Sequence, residues 1–395
     1  MKAAFEKAKA IIPAMMRIPD FDPDGDFAGI QAITYEGMPL DGQKTKVFAY
    51  LGYPEHGKRP APAVLLVHGG GGVPYLEWVK MWNERGYVAL AMSTTGDFPK
   101  QRNAGITEGS KADFWQHGLH GSFAEPGFTD APDNDSMQNS HLPLQRQWMY
   151  HAVGQVILAN SLLRNDPQVD PEKIGIVGIS WGGVITSLVI GYDERLAFAV
   201  PIYGSGYLAE SKGTLGEYFR AGENPALWLA EKQFSQVRIP VMWLCWNRDL
   251  PFSLNSNSKS YLDTVKNNPD TRLSAVDNMH HAHTWGWVRK ESFAFADFVC
   301  KGKKRLPTFR EQDGRFVIDN PDHCLLAVVK LYYIDRPLSY SADHKMEQDW
   351  KVLEYEYPYD SFCYEIPAEA KAYYLELTTL MYTDVYITCS PFVEL

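Results

Sequence analysis

Between Ala61 and Lys301 the chain alternates two patterns. Short, continuously apolar runs are followed by stretches in which apolar residues recur at helical spacing. The runs are AVLLVHG (63–69), GYVALAMS (86–93), KIGIVGIS (173–180), LAFAVPIYG (196–204), IPVMWLCWNRD (239–249) and TRLSAVDN (271–278). They lack the alternation of a half-exposed strand, so they predict parallel strands covered on both faces. Helices are predicted over 75–85, 144–163, 181–190, 256–267 and 284–300, and a shorter amphipathic one at the N-terminus. ITYEG and KVFAYLGYP predict a leading antiparallel hairpin. Strands alternating with helices in this way make an α/β architecture with a doubly wound, mostly parallel sheet.

Two stretches break the pattern. Residues 96–141 are polar and rich in Gly, Asp, Asn and His, yet carry Phe114, Trp115 and Phe123. A long loop with aromatics inside a compact domain reads as a lid-like insertion over a pocket, with Trp115 as its substrate-binding candidate. The second break is KGKKRLP (301–307), a basic segment ending in proline, as in a linker. Beyond it LLAVVKLYYI, WKVLEYEY, FCYEI, AYYLELTTL and DVYITCS are β-branched and aromatic, which predicts a C-terminal all-β, sandwich-like domain. The expected domains are therefore 1–301 and 302–395. The second is expected to pack on the first or to mediate a homo-oligomer, with carbohydrate binding as the competing role.

The candidate chemistry sits at the ends of the apolar runs. GISWGG (178–183) places Ser180 on a turn from strand to helix, between glycines where side chains would collide with neighbouring elements. A serine hydroxyl needs a base, and the base an orienting acid. Asp249 follows the run VMWLCW, where the chain leaves the sheet. His280, His281 and His283 follow the next run, in DNMHHAHTWGW. His280 lies close to the strand end and His283 at the entry to a helix, which leaves His281 in the middle as the preferred base. HHxH lacks the i, i+4 spacing of a helix-borne zinc site, so no metal is expected. VHGGGG (67–72) offers backbone N–H groups to a developing oxyanion: Gly70, then Gly71, with the amide of Trp181 as the other donor. There is no G-K-[ST] and no dinucleotide fingerprint, and no cofactor is called for.

These motifs resemble the acetyl xylan esterase-like, dienelactone hydrolase-related branch of the α/β-hydrolases. The likeness runs through AVLLVHGGGG, EWVKMWNERGYVALAM, GISWGGVITSLVIGYDERLAFAVPIYGSGYL, NRDLPFSLNSNSKSY and NMHHAHTWGW, over most of residues 30–300. The resemblance implies an α/β-hydrolase fold, a triad of Ser180, Asp249 and a histidine of the cluster, and cleavage of acyl esters, often acetyl groups on sugars. Its M-x-H-x-H run maps the base onto His281. A peptidase or amidase on the same triad is the alternative, and a non-catalytic binding protein a third.

Charge and cysteine content narrow the partners. The 395 residues carry a formal net charge of −10, which disfavours nucleic acid and anionic membranes and leaves a small-molecule or carbohydrate ester as the expected partner. No apolar stretch is long enough to span a bilayer. The five cysteines are scattered without a C-x-x-C pair, so free, mostly buried thiols are expected, as in a cytoplasmic protein.

Overall fold

The computed structural model describes residues 1–96, 132, 141–340, 346–356 and 362–395. The chain divides into two compact units, residues 1–199 with 221–228, and residues 200–220 with 229–395. The division falls inside one strand, so each unit carries part of the strand–helix alternation.

In the first unit, β1 (Met15–Arg17), β2 (Gln31–Glu36), β3 (Lys46–Gly52), β4 (Ala61–Val67), β5 (Val88–Met92) and β6 (Val169–Ile179) lie in the order β1-β2-β3-β5-β4-β6. The first three pair antiparallel, including the expected hairpin β2–β3. β4 pairs parallel with both β5 and β6. Val64, Leu65, Leu66 and Val67 are fully buried in this central strand. Each such side chain contributes on the order of 1.5–3 kcal/mol by leaving water, which is why the run tolerates no polar break. Helices Leu76–Glu84, Trp148–Arg164 and Trp181–Val189 follow β4, precede β6 and follow β6. The helix read from residue 144 begins instead at Trp148, after a 3-10 turn at Leu144–Arg146, because Gln147 is extended. Trp115 and most of the 96–141 insertion lie outside the described residues.

The second unit holds the remaining parallel strands. β7 (Phe198–Ile202) pairs with β8 (Met242–Trp246) through Ile202 and Leu244, and β8 pairs parallel with β9 (Arg272–Val276). Helix Leu254–Val265 is capped by Ser253, whose hydroxyl accepts from the Ser256 amide. The helix expected over 284–300 is two, His283–Trp287 and Lys290–Lys301, broken where Arg289 is extended and turns its guanidinium onto Glu291.

The C-terminal region forms antiparallel sheets of its own. β10 (Thr308–Gln312) and β11 (Arg315–Asp319) make a hairpin. β12 (Leu325–Ile334), β13 (Lys351–Glu356), β14 (Ala372–Met381), β15 (Asp384–Cys389) and β16 (Val393–Glu394) make a second sheet in the order β13-β12-β14-β15, with β16 on β14. Phe309 and Phe316 of the hairpin pack against Val329, Leu331, Leu375 and Leu377 of this sheet, giving two layers over one apolar core. FCYEI (362–366) is not a strand, contrary to its pattern. Tyr364 of that stretch is buried, its hydroxyl accepts from the Phe316 amide, and Phe362 packs against the same core, so the segment is anchored by side chains rather than a ladder. Of the five cysteines four are buried, Cys363 is exposed, and none is bridged.

Candidate active site

β6 ends in a turn that forces Ser180 to φ 57° and ψ −119° before helix Trp181–Val189 begins. A non-glycine residue there costs on the order of 1–3 kcal/mol, which the surrounding packing has to offset. The packing is tight. A Cβ on Gly178 would stand 2.1 Å from the Gly182 carbonyl oxygen, and one on Gly182 would stand 2.0 Å from that of Val67 in β4. The two glycines thus let the helix start directly against β4, and Ser180 occupies the bend between them.

The loop after β4 is held from within. His68 is buried, its Nδ1 lies 2.8 Å from the Gly69 carbonyl, and its Nε2 accepts from the Thr94 amide at 3.1 Å. Those partners fix the tautomer: Nδ1 carries the proton and donates, and Nε2 is bare. Gly72 N–H donates to the same Gly69 carbonyl at 2.9 Å. Gly70 and Gly71 form the exposed crest of this turn, with Gly71 at φ 62°. The indole of Trp181 meets that of Trp148 edge-on, with centroids 5.4 Å apart, and Trp148 Nε1 donates to the Thr94 carbonyl at 2.6 Å. Hence the segments after β4 and β5 are tied to each other and to Trp148 by buried polar contacts, and the residue after Ser180 is tied to Trp148 by a ring contact.

In the second unit the loops after β8 and β9 bring Asp249 and His281 together. Nδ1 of His281 lies 2.7 Å from Oδ2 of Asp249. The carboxylate is 1 % exposed, and its other oxygen accepts from the Phe252 amide at 3.3 Å. A buried carboxylate with one oxygen on a backbone N–H and the other on an imidazole is held in a single orientation. The ring of His281 lies between two aromatic faces, Tyr203 at 4.6 Å and 29° and Phe252 at 5.7 Å and 17°.

Tyr203 and Phe252 were not among the sequence candidates. Tyr203 stands at φ 49° just beyond β7, and its hydroxyl donates to the His280 carbonyl at 2.7 Å, so it fixes the histidine loop as well as the ring. Burial, with the Asp249 charge nearby, pushes its phenol well up, and it stays protonated. The other histidines are placed elsewhere. His280 is exposed between Trp246 and Trp285, and His283 is buried against Trp287 at the start of its helix. Among the described residues no three His, Cys, Asp or Glu side chains are grouped to hold a metal ion, and no helix is long and apolar enough to cross a membrane.

The model of the dienelactone hydrolase family matches residues 47–286, more than half of the chain. The chain belongs to the dienelactone hydrolase family. One of the following solved structures supports the fold, the acetyl xylan esterase at a TM-score above 0.5. An acetyl xylan esterase from Paenibacillus sp. R4 is 15 % identical, with a TM-score of 0.51, over 75 % of this chain and 94 % of that one. Pyrococcus horikoshii acylaminoacyl peptidase is 16 % identical, with a TM-score of 0.47, over 70 % of this chain. The chain spans only 43 % of the length of that peptidase. Acetyl xylan esterase 1 from Thermoanaerobacterium sp. JW/SL YS485 is 14 % identical, with a TM-score of 0.48, over 74 % of this chain and 92 % of that one. No curated protein matches by sequence. This member of the dienelactone hydrolase family has the α/β-hydrolase fold with an added C-terminal antiparallel sheet region.

Proposed function

We propose that the protein is a carboxylic-ester hydrolase that deacylates a small or carbohydrate ester, acetyl esters above all, through an acyl-enzyme. The observation that carries this reading is the buried Asp249 carboxylate on Nδ1 of His281. With Nδ1 protonated and held, Nε2 of His281 is the unprotonated nitrogen that can take a proton. In the proposed reaction Ser180 Oγ attacks the ester carbonyl while His281 accepts its proton. The amides of Gly70, Gly71 and Trp181 carry the oxyanion. The tetrahedral adduct collapses, the C–O bond to the alcohol breaks, and His281 returns the proton to the leaving oxygen. Water, deprotonated by His281, then attacks the acyl-Ser180 carbonyl and releases the acid. Asp249 keeps the imidazole in one tautomer and stabilises its cation. Trp115 lines the acyl or alcohol pocket in this proposal, residues 1–301 supply the catalysis, and no cofactor takes part.

The strained turn at Ser180 and the membership of the family support the same reading. It is tested with p-nitrophenyl esters of increasing acyl length beside aminoacyl-naphthylamides. The expected result is fastest turnover on the acetyl ester. In Ser180→Ala kcat is expected to fall by several orders of magnitude with the fold intact, as when a triad member is removed. Turnover of the naphthylamides without the esters would replace the esterase reading with a peptidase.

A further inference from the structure

Successive residues of β14 face opposite sides of the sheet. Tyr373, Leu375 and Leu377 enter the apolar core shared with β10 and β11. Tyr374 and Glu376 point the other way, and both are buried. On that side Tyr374 meets the root of the acid loop of the candidate site. Tyr374 Oη accepts from Asn247 Nδ2 at 3.0 Å, and Asn247 is the first residue beyond β8, two before Asp249. Arg248, the next residue, has its Nε 3.8 Å from the carboxylate of Asp277, the first residue beyond β9, four before His281.

The Tyr374 ring cannot drift. It stacks on Tyr332 at 4.9 Å and 8°, and Trp350 meets it edge-on at 5.2 Å and 86°. A second tie comes from the connection between β12 and β13. Arg248 reaches the Asp349 carboxylate at 3.3 Å and the Gln348 carbonyl at 3.5 Å, and Gln348 Oε1 accepts from the Ser339 amide at 2.9 Å. Tyr340 of the same connection is half-buried, and burial, with the Asp249 charge nearby, pushes its phenol up to about 12. Asn247 and Arg248, the two residues that precede Asp249, are therefore both held by the C-terminal region.

We propose that β14, with Gln348 and Asp349 just before β13, is a positioning clamp on the Asp249 loop, with Tyr374 fixing that loop through Asn247. The proposal rests on the reading of Asp249 and His281 as acid and base. It gives the C-terminal region a part in the reaction that needs no contact with substrate. The 2.7 Å hydrogen bond between Asp249 and His281 survives only while the acid loop keeps its place.

Tyr374→Phe keeps the stacked ring and removes the hydroxyl. Two readouts are taken: steady-state hydrolysis of p-nitrophenyl acetate, and the downfield proton resonance of His281 Nδ1–H in the resting protein. The expected kcat falls roughly 10- to 100-fold at nearly unchanged KM, the scale of a small misplacement remote from the chemistry. The resonance is expected to broaden or vanish while far-ultraviolet circular dichroism keeps the wild-type form. Arg248→Gln is expected to move both readouts the same way by less. Tyr382→Asn, in the exposed turn between β14 and β15, is expected to move neither. A Tyr374→Phe protein with wild-type kcat and resonance overturns the clamp. So does a Tyr374→Phe protein that loses its fold while Arg248→Gln stays at wild type in both readouts. If the wild type hydrolyses no ester, the proposed function fails instead, and the resonance, which needs no turnover, still decides the clamp.

Discussion

At Ser180 the backbone sits where few side chains are found, at φ 57°. The residues responsible were legible in the sequence, because the requirement is local: a glycine two positions away on each side, a strand before and a helix after. Asp249 and the histidine cluster were legible by their place after successive strands. The choice of His281 over its neighbours now has a geometric counterpart in the 2.7 Å contact with Asp249. What could not be read was the aromatic sandwich. Tyr203 and Phe252 are 78 and 29 positions from His281, and nothing in a tyrosine after an apolar run or a phenylalanine after NRDLP announces a stacking partner. Single alanine substitutions at the three histidines, assayed on one activated ester, test the assignment. His281→Ala is expected to fall as far as Ser180→Ala, since triad members act as a unit. His280→Ala and His283→Ala are expected to lose far less. A dead neighbour beside an active His281→Ala would move the base.

Elements carried the strongest sequence signal where burial was complete on both faces. Every apolar run from AVLLVHG to TRLSAVDN became a strand of the parallel set. Legibility failed where a segment is only half covered. The hairpin of β10 and β11 was missed because TFREQ and RFVID carry too few apolar positions to make an alternating face. Its Asp313-Gly314 turn, with both residues at positive φ, was the available signal. FCYEI misled for the opposite reason, since aromatic content without backbone partners makes no strand. Element contacts also set the cost of substitutions at the turn. Gly182→Ala would press a methyl into the Val67 carbonyl and is expected to cost roughly 2–4 kcal/mol in urea unfolding, at or above the usual range for overpacking. Gly71→Ala meets no neighbour, so only its φ is strained, and a loss of about 1 kcal/mol is expected. Equal losses at the two sites would contradict the close approach of helix and strand.

Across the whole molecule the sequence leads to a separate all-β domain over 302–395 that packs on the first or mediates a homo-oligomer, and nothing in it points to the acid loop. Pairwise contacts such as Asn247 with Tyr374 leave no trace in a single sequence. The same face carries a titrating group. Burial pushes the Glu376 carboxyl from its ordinary 4.5 up to about 7, with Asp277 and Glu291 adding to the rise and Lys330 and Tyr332 opposing it. Glu291 is itself paired with Arg289, and Cys389 lies across the strand pair from Glu376. The folded state therefore holds this proton to higher pH than the unfolded chain does. Its contribution to stability is fully present below about 4.5 and is lost as pH rises through about 7. Glu376→Gln is expected to be more stable than the wild type at pH 8, by on the order of 1–3 kcal/mol, and to match it more closely at pH 5. Urea denaturation at both values tests this, and an identical pH dependence in the two proteins would contradict it.

The central claim is that Ser180 is the activated nucleophile of an ester hydrolase. Its most direct test is covalent trapping by a fluorophosphonate, with the modified peptide located by mass spectrometry. The expected result is one adduct per chain, on Ser180, formed by the wild type and not by His281→Ala. An unmodified Ser180 in the folded wild-type protein, or an adduct on another serine, would contradict it.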